Sequence, residues 1–276
     1  MRLRRGRVVR SRVVVAGMCA AVVVSLAACG DDTEAVATEA VATEAVETEA
    51  VATEADATTT EVASAPTEPA AVAEPYRADA EQVVGSTDRV DYDVFIPQLA
   101  EGDPAVTAEF NESMRAALQD MIDTHDTDRY TLSTQEYDVT RIGERVVAGL
   151  LVVSYNMNPP GAHPSPLLAT VVVDTDTATP VTLTDIFPDL PAGLERLSEQ
   201  SALLLPDTAA GPNFDRSGIE PTEANFANWL PTPEGMEIHF GDYQVGPHAI
   251  GLVTVTVPWE SLADVADPDV VAVLAS

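Results

Sequence analysis

A stretch of chain that has nothing to pack bounds everything else in this protein. Gly30 to Pro75 spans 46 residues, of which 12 are acidic and none is basic. Thr33 to Thr60 is built on a five-residue repeat that begins as Thr33-Glu34-Ala35-Val36-Ala37. A period of five matches neither 3.5 nor 3.6, so Val36, Val41, Val46 and Val51 spiral round a helix and build no apolar stripe. Ala and Glu favour helix, but with no face to bury, the expectation is transient helix in a mostly unfolded tether. Pro66, Pro69 and Pro75 break any helix that remains. Such a tether has an r.m.s. span of roughly 40 Å and reaches about 150 Å when fully extended. Folding therefore falls to Tyr76–Ser276, about 200 residues, enough for one domain with a sizeable core.

The first 28 residues read as an address. Arg2, Arg4, Arg5, Arg7, Arg10 and Arg12 form a basic region, and an apolar run follows from Val13 to Ala28. That run is about 16 residues, short of the roughly 20 that cross hydrocarbon. A basic flank, a short apolar core and small residues before a cut mark a secretory signal. Leu26-Ala27-Ala28-Cys29 matches the lipobox at which a bacterial thiol receives diacylglycerol and the peptide is cut just before it. A plain signal peptide and an uncut signal anchor are the weaker readings. The expectation is a signal over 1–28, lipid on Cys29, a tether over 29–75 and a folded domain over 76–276, held on the outer face of a cell membrane. Cys19 leaves with the signal and Cys29 carries lipid, so no disulfide framework is available in an oxidising compartment. Stable anchoring takes at least two acyl chains, each buried methylene contributing about 0.8 kcal/mol.

All 14 basic residues are Arg, and six of them leave with the signal. Eight Arg then face 45 acidic residues, a net charge of −37; over Tyr76–Ser276 the same eight face 33, a net −25. A basic footprint for nucleic acid is missing, and a flat seat on anionic lipid is disfavoured. Attraction to a basic partner at low salt is favoured. A generally acidic proteome explains the same charge.

Within the domain, Tyr92–Leu99 alternates as a strand. Asp103-Pro104 opens a helix, with an acid at the cap and proline at the first position. Val106, Phe110, Met114, Ala117, Leu118 and Met121 fall on one face of it. Ser133–Thr140 and Arg145–Tyr155 read as antiparallel strands. Leu167–Val173 reads as a third, turning at Asp174-Thr175-Asp176 into a strand at Val181-Thr182-Leu183. A helix is expected from about Pro191 to Leu205, strands near Met236–Phe240 and Leu252–Val257, and a short helix from Pro258-Trp259. Antiparallel strands with a few separate helices imply an α+β fold.

Candidate chemistry is sparse. The chain has no Gly-x-Ser-x-Gly, His-Glu-x-x-His, Gly-x-Gly-x-x-Gly or Cys-x-x-Cys. His163 and Ser165 sit together in a Gly/Pro-rich loop and are the candidate base and nucleophile of a serine-type esterase or wall hydrolase. The plainer reading is a loop His that fixes the turn. His125 follows the first helix, where a cation suits the dipole. His239, Asp242 and His248 are residue types that suit zinc, but their spacing follows no ligand rule. Asp174, Asp176 and Asp185 could offer oxygens to calcium, and turn capping explains them more simply. No cofactor or metal is therefore expected. Gly161, His163 and Tyr243 are the candidate contact residues, Tyr243 because it stands between Gly241 and Pro247.

Pro159-Pro160-Gly161-Ala162-His163-Pro164 resembles the Gly-Ala-His-Pro loop of the RsiV-like extracellular domain. Val171-Val172-Val173-Asp174 leading to Val181-Thr182-Leu183-Thr184-Asp185-Ile186-Phe187 resembles its following hairpin. Glu234–Phe240, Asp242–Pro247 and Val257–Leu262 resemble its C-terminal signature. The resemblance covers most of Tyr92–Val265 and implies an α+β domain outside the cell. The family includes the lysozyme-sensing part of an anti-sigma factor and accompanies some peptidoglycan deacetylases. The chain departs from it at His248, where the family has an aromatic. It also lacks a membrane helix with a sigma-binding part, so anti-sigma activity is not expected. The functional expectation is a lipid-anchored binding module for a protein, such as a basic lysozyme-like one, or for a wall component. The alternatives are the esterase and a surface antigen without a ligand.

Overall fold

The structure, a computed structural model, describes residues 75–124 and 129–276. The signal, Cys29, the acidic tether and His125 lie outside the described residues.

Six strands lie side by side in chain order: β1 (Arg77–Ser86), β2 (Val90–Ala100), β3 (Arg129–Ile142), β4 (Val146–Asn158), β5 (Ser165–Asp174) and β6 (Thr179–Pro180). All neighbours are antiparallel except β2 and β3, which run parallel from Val90 opposite Tyr130 to Asp93 opposite Ser133. A parallel pair needs a crossover rather than a hairpin, and α1 (Pro104–Thr124) supplies it. The Asp103 carboxylate accepts from the backbone N–H of Ala105 at 2.8 Å and of Val106 at 3.3 Å, the expected cap.

A second antiparallel sheet holds β7 (Trp229–Pro231), β8 (Gly235–Phe240) and β9 (Val253–Pro258). Around it lie α2 (Leu183–Ile186), α3 (Leu190–Leu204), α4 (Trp259–Leu262) and α5 (Pro268–Leu274). The fold is α+β, with antiparallel pairing dominant.

Two apolar cores meet at β4. Val147, Leu151 and Val153 point to the core that also holds Phe110, Met114 and Leu118 of α1. Val146, Ala148, Leu150 and Val152 point the other way, into a core shared with Leu194 and Leu197 of α3 and with Ile238, Phe240 and Val255 of the second sheet. A strand covered on both faces loses alternation and reads as a continuous apolar run, as Val-Val-Ala-Gly-Leu-Leu-Val-Val does. Gly149 sits in that run because α1 comes close: a Cβ there would stand 2.7 Å from Met114 Cε and from Phe110 Cζ.

Three expectations need correction. Val181–Leu183 is not a strand: β6 is only Thr179–Pro180, and helix α2 starts at Leu183. The Asp185 carboxylate accepts from the Thr182 backbone N–H at 2.8 Å and its own N–H bonds back at Thr182, closing a capping box that outweighs the β-branched residues. The C-terminal segment makes two helices, α4 and α5, rather than one. β1 and β7 are strands that local pattern did not reveal.

Candidate functional site

Two hairpin loops create the site. The β4–β5 loop carries Gly161, His163 and Pro164; the β8–β9 loop runs from Gly241 to Leu252. Local chemistry stiffens the second loop. The Gly241 N–H donates to the Gln244 side-chain oxygen at 2.8 Å, and the Gln244 N–H donates to the Gly241 carbonyl at 3.1 Å. Tyr243 takes up a left-handed backbone, φ 61°, within this turn. The Gln244 amide then donates to the carbonyls of Gly218 at 2.8 Å and Asn225 at 2.9 Å. Gly218 is needed for that approach, since a Cβ there would stand 1.9 Å from the Gln244 carbonyl oxygen. Val245 is buried, and its carbonyl accepts from the Asp215 N–H at 2.9 Å. Anchored on both sides of Tyr243, the loop holds that ring out in solvent at 57% exposure.

Three rings converge there. His163 and His248 stack with centroids 3.7 Å apart and planes 10° from parallel. Tyr243 lies 5.8 Å from His248 and 6.2 Å from His163. His163 Nδ1 is 3.1 Å from the Pro164 carbonyl, which can only accept, so Nδ1 carries the hydrogen. That leaves Nε2 facing the Tyr243 hydroxyl, 3.2 Å away. His248 Nδ1 donates to Asp242, lying 2.9 and 3.0 Å from its two carboxylate oxygens. The Asp242 side chain is only 7% exposed, so this bond is shielded from water.

Beside the stack is a hollow of about 440 Å³ lined by Gln135, Ser154, Pro164, Pro166, Asp242 and His248, among others. Gln135 reaches it because the β3–β4 register skips between Thr134 and Glu136 and leaves Gln135 outside the pairing.

The candidates named from sequence divide accordingly. His163, Gly161 and Tyr243 fall on the two facing loops, with His163 and Tyr243 in direct contact. Ser165 begins β5 opposite Tyr155, and both His163 ring nitrogens are taken by Tyr243 and Pro164 rather than by that hydroxyl. Asp242 and His248 pair with each other. His239 turns away from Ile238 and Phe240, onto Glu237, with Nε2 2.8 Å from a carboxylate oxygen. That approach is out of line for a hydrogen bond and leaves Nε2 buried without one. Burial pushes the His239 pKa below its ordinary value, and the Glu237 carboxylate offsets this only in part. Asp174 accepts from the Asp176 N–H at 2.7 Å, and Asp176 pairs with Arg145 at 2.6 Å, so these carboxylates serve the turn. Sequence reasoning missed Gln135, Ser154 and Gln244; a bulge and a loop-to-loop bridge leave no local signal.

Among the described residues, no helix is long and apolar enough to cross a membrane. Residues 184–260 match the model of a family described as a protein of unknown function, DUF3298. The match runs from α2 into α4 and includes Asp242, Tyr243 and His248, while His163 precedes it. No curated protein matches the chain. A solved DUF3298 family member from Bacteroides fragilis is 15% identical, over 72% of this chain and 97% of its own, with a TM-score of 0.48. A DUF3298 family protein from Pseudomonas aeruginosa is 16% identical, over 71% and 95%, with a TM-score of 0.49. The chain thus carries, across the loop that presents Tyr243, a segment similar to a family whose function is unknown.

Proposed function

We propose that this chain is a binding module of the cell exterior, lipid-anchored at Cys29 and lifted from the membrane by its acidic tether. The observation that carries the reading is the meeting of the two loops. They expose a tyrosine that is held rigid by His163 and by the Gln244 bridge. An exposed, pre-ordered aromatic is what a contact surface uses, because little side-chain entropy is lost on binding. The resemblance to the RsiV-like extracellular domain supports the same reading. Part of it, Glu234–Glu260, lies inside the DUF3298 match. A net −25 over the folded domain suits a basic protein partner such as a lysozyme, through steering more than through affinity. Immobilised intact protein is expected to retain lysozyme at low salt and, more weakly, at physiological salt, with Tyr243→Asn reducing capture at both. No retention at either salt removes lysozyme as the partner.

One observation favours a second reading, hydrolysis. Asp242, His248 and Ser154 all line one hollow, and the first two already form an oriented pair. This moves the esterase hypothesis from His163 and Ser165 to His248 and Ser154. On that reading a p-nitrophenyl ester is turned over by the wild type and not by His248→Ala; equal background rates from both eliminate it.

A further inference from the structure

The hollow next to the ring stack has a composition that selects among ligands. Its size, about 440 Å³, falls in the range of about 300–1,000 Å³ that small-ligand sites occupy. None of its lining residues is Arg, and its one carboxylate, Asp242, is already engaged by His248. Its one possible cation, His248, is already paired with that carboxylate, so no uncompensated positive charge faces a phosphate or carboxylate, and the surrounding domain repels anions. No free carboxylate stands ready for a cation either. What it offers is a side-chain amide from Gln135, a hydroxyl from Ser154 and apolar surface from Pro164, Pro166 and Leu252. Next to the lining His248 stands Tyr243, its ring centroid 5.8 Å from the imidazole's and the residue 57% exposed.

We propose that this hollow binds a neutral N-acetylated hexosamine oligosaccharide. Tyr243 is the platform for one sugar ring, whose axial C–H groups pack on an aromatic face. Gln135 and Ser154 receive the acetamido group, an amide against an amide, with its methyl on the prolines and Leu252. The assignment deepens the binding reading above and rests on it, and the tether would place such a site within reach of wall glycan.

The test is calorimetric titration of the intact protein with triacetylchitotriose, alongside cellotriose, which has the same ring chain without acetamido groups. Saturable binding of triacetylchitotriose and much weaker binding of cellotriose are expected. Tyr243→Asn should weaken triacetylchitotriose by about tenfold, on the scale of one lost aromatic contact. Asparagine tolerates the left-handed backbone at that position, so the loop is kept. Gln135→Ala, at an exposed bulge, should weaken it too and leave cellotriose unchanged. Equal binding of the two sugars overturns the acetamido assignment. Lysozyme captured through Tyr243 without any sugar binding overturns the saccharide proposal and leaves the binding reading standing. If neither sugar nor lysozyme binds, both fall.

Discussion

His239 is carried by β8 to the face opposite Ile238 and Phe240, where it is 10% exposed with Glu237 as its near neighbour. Desolvation disfavours the imidazolium more than Glu237 favours it, so the folded pKa lies below the ordinary 6.5. In the unfolded chain the same ring takes up a proton near pH 6.5. The unfolded state therefore binds more protons between the two values. Stability from this group is complete above about pH 6.5 and is lost as pH falls through the depressed folded value. The urea midpoint of the wild type should drop between about pH 7.5 and about pH 5 more steeply than that of His239→Gln; parallel profiles would refute this. That His239 turns from the core could be read from strand alternation alone. Alternation also puts Glu237, two residues earlier, on that face; only the fold brings Glu136 of β3 near it as well. The same holds at Tyr243, whose flanking Gly241 and Pro247 announce an exposed turn, whereas its bond to His163 joins positions 80 residues apart.

Elements with a strong local signal were legible. α1 has its Asp103 cap and a stripe from Val106 to Met121, and β4 has an apolar run too short for a buried helix. β1 has neither: Arg-Ala-Asp-Ala-Glu-Gln is poor in β-formers, and only pairing with Asp91 to Ala100 of β2 makes it a strand. The parallel β2–β3 pair was equally hidden, because strand polarity follows from the α1 crossover and not from either strand's residues. Gly149 lets α1 seat on β4, with the Asp138 carbonyl a further 3.1 Å from where a Cβ would be. Gly149→Val should cost about 1–3 kcal/mol by overpacking, despite valine's better strand propensity, and the denaturation midpoint measures it. An unchanged or raised midpoint would show that α1 yields more easily than a close-packed core allows.

Replacing the thiol by Cys29→Ser should release the protein from the membrane fraction into the medium, and mass spectrometry of the native form should find an acylated Cys29 at its N-terminus. A native chain that begins elsewhere, or lacks fatty acid, ends the anchored reading. An acidic repeat without an apolar face, followed by about 200 residues patterned as α+β, could be read from the residues in order. These follow from composition and periodicity, which act over a few residues. The packed fold was needed to bring the β4–β5 and β8–β9 loops face to face and to stack His163 on His248. It alone decided that a register skip in β3 delivers Gln135 to the same hollow. Those placements depend on two sheets sharing the core at β4, a contact between distant segments that no local pattern encodes.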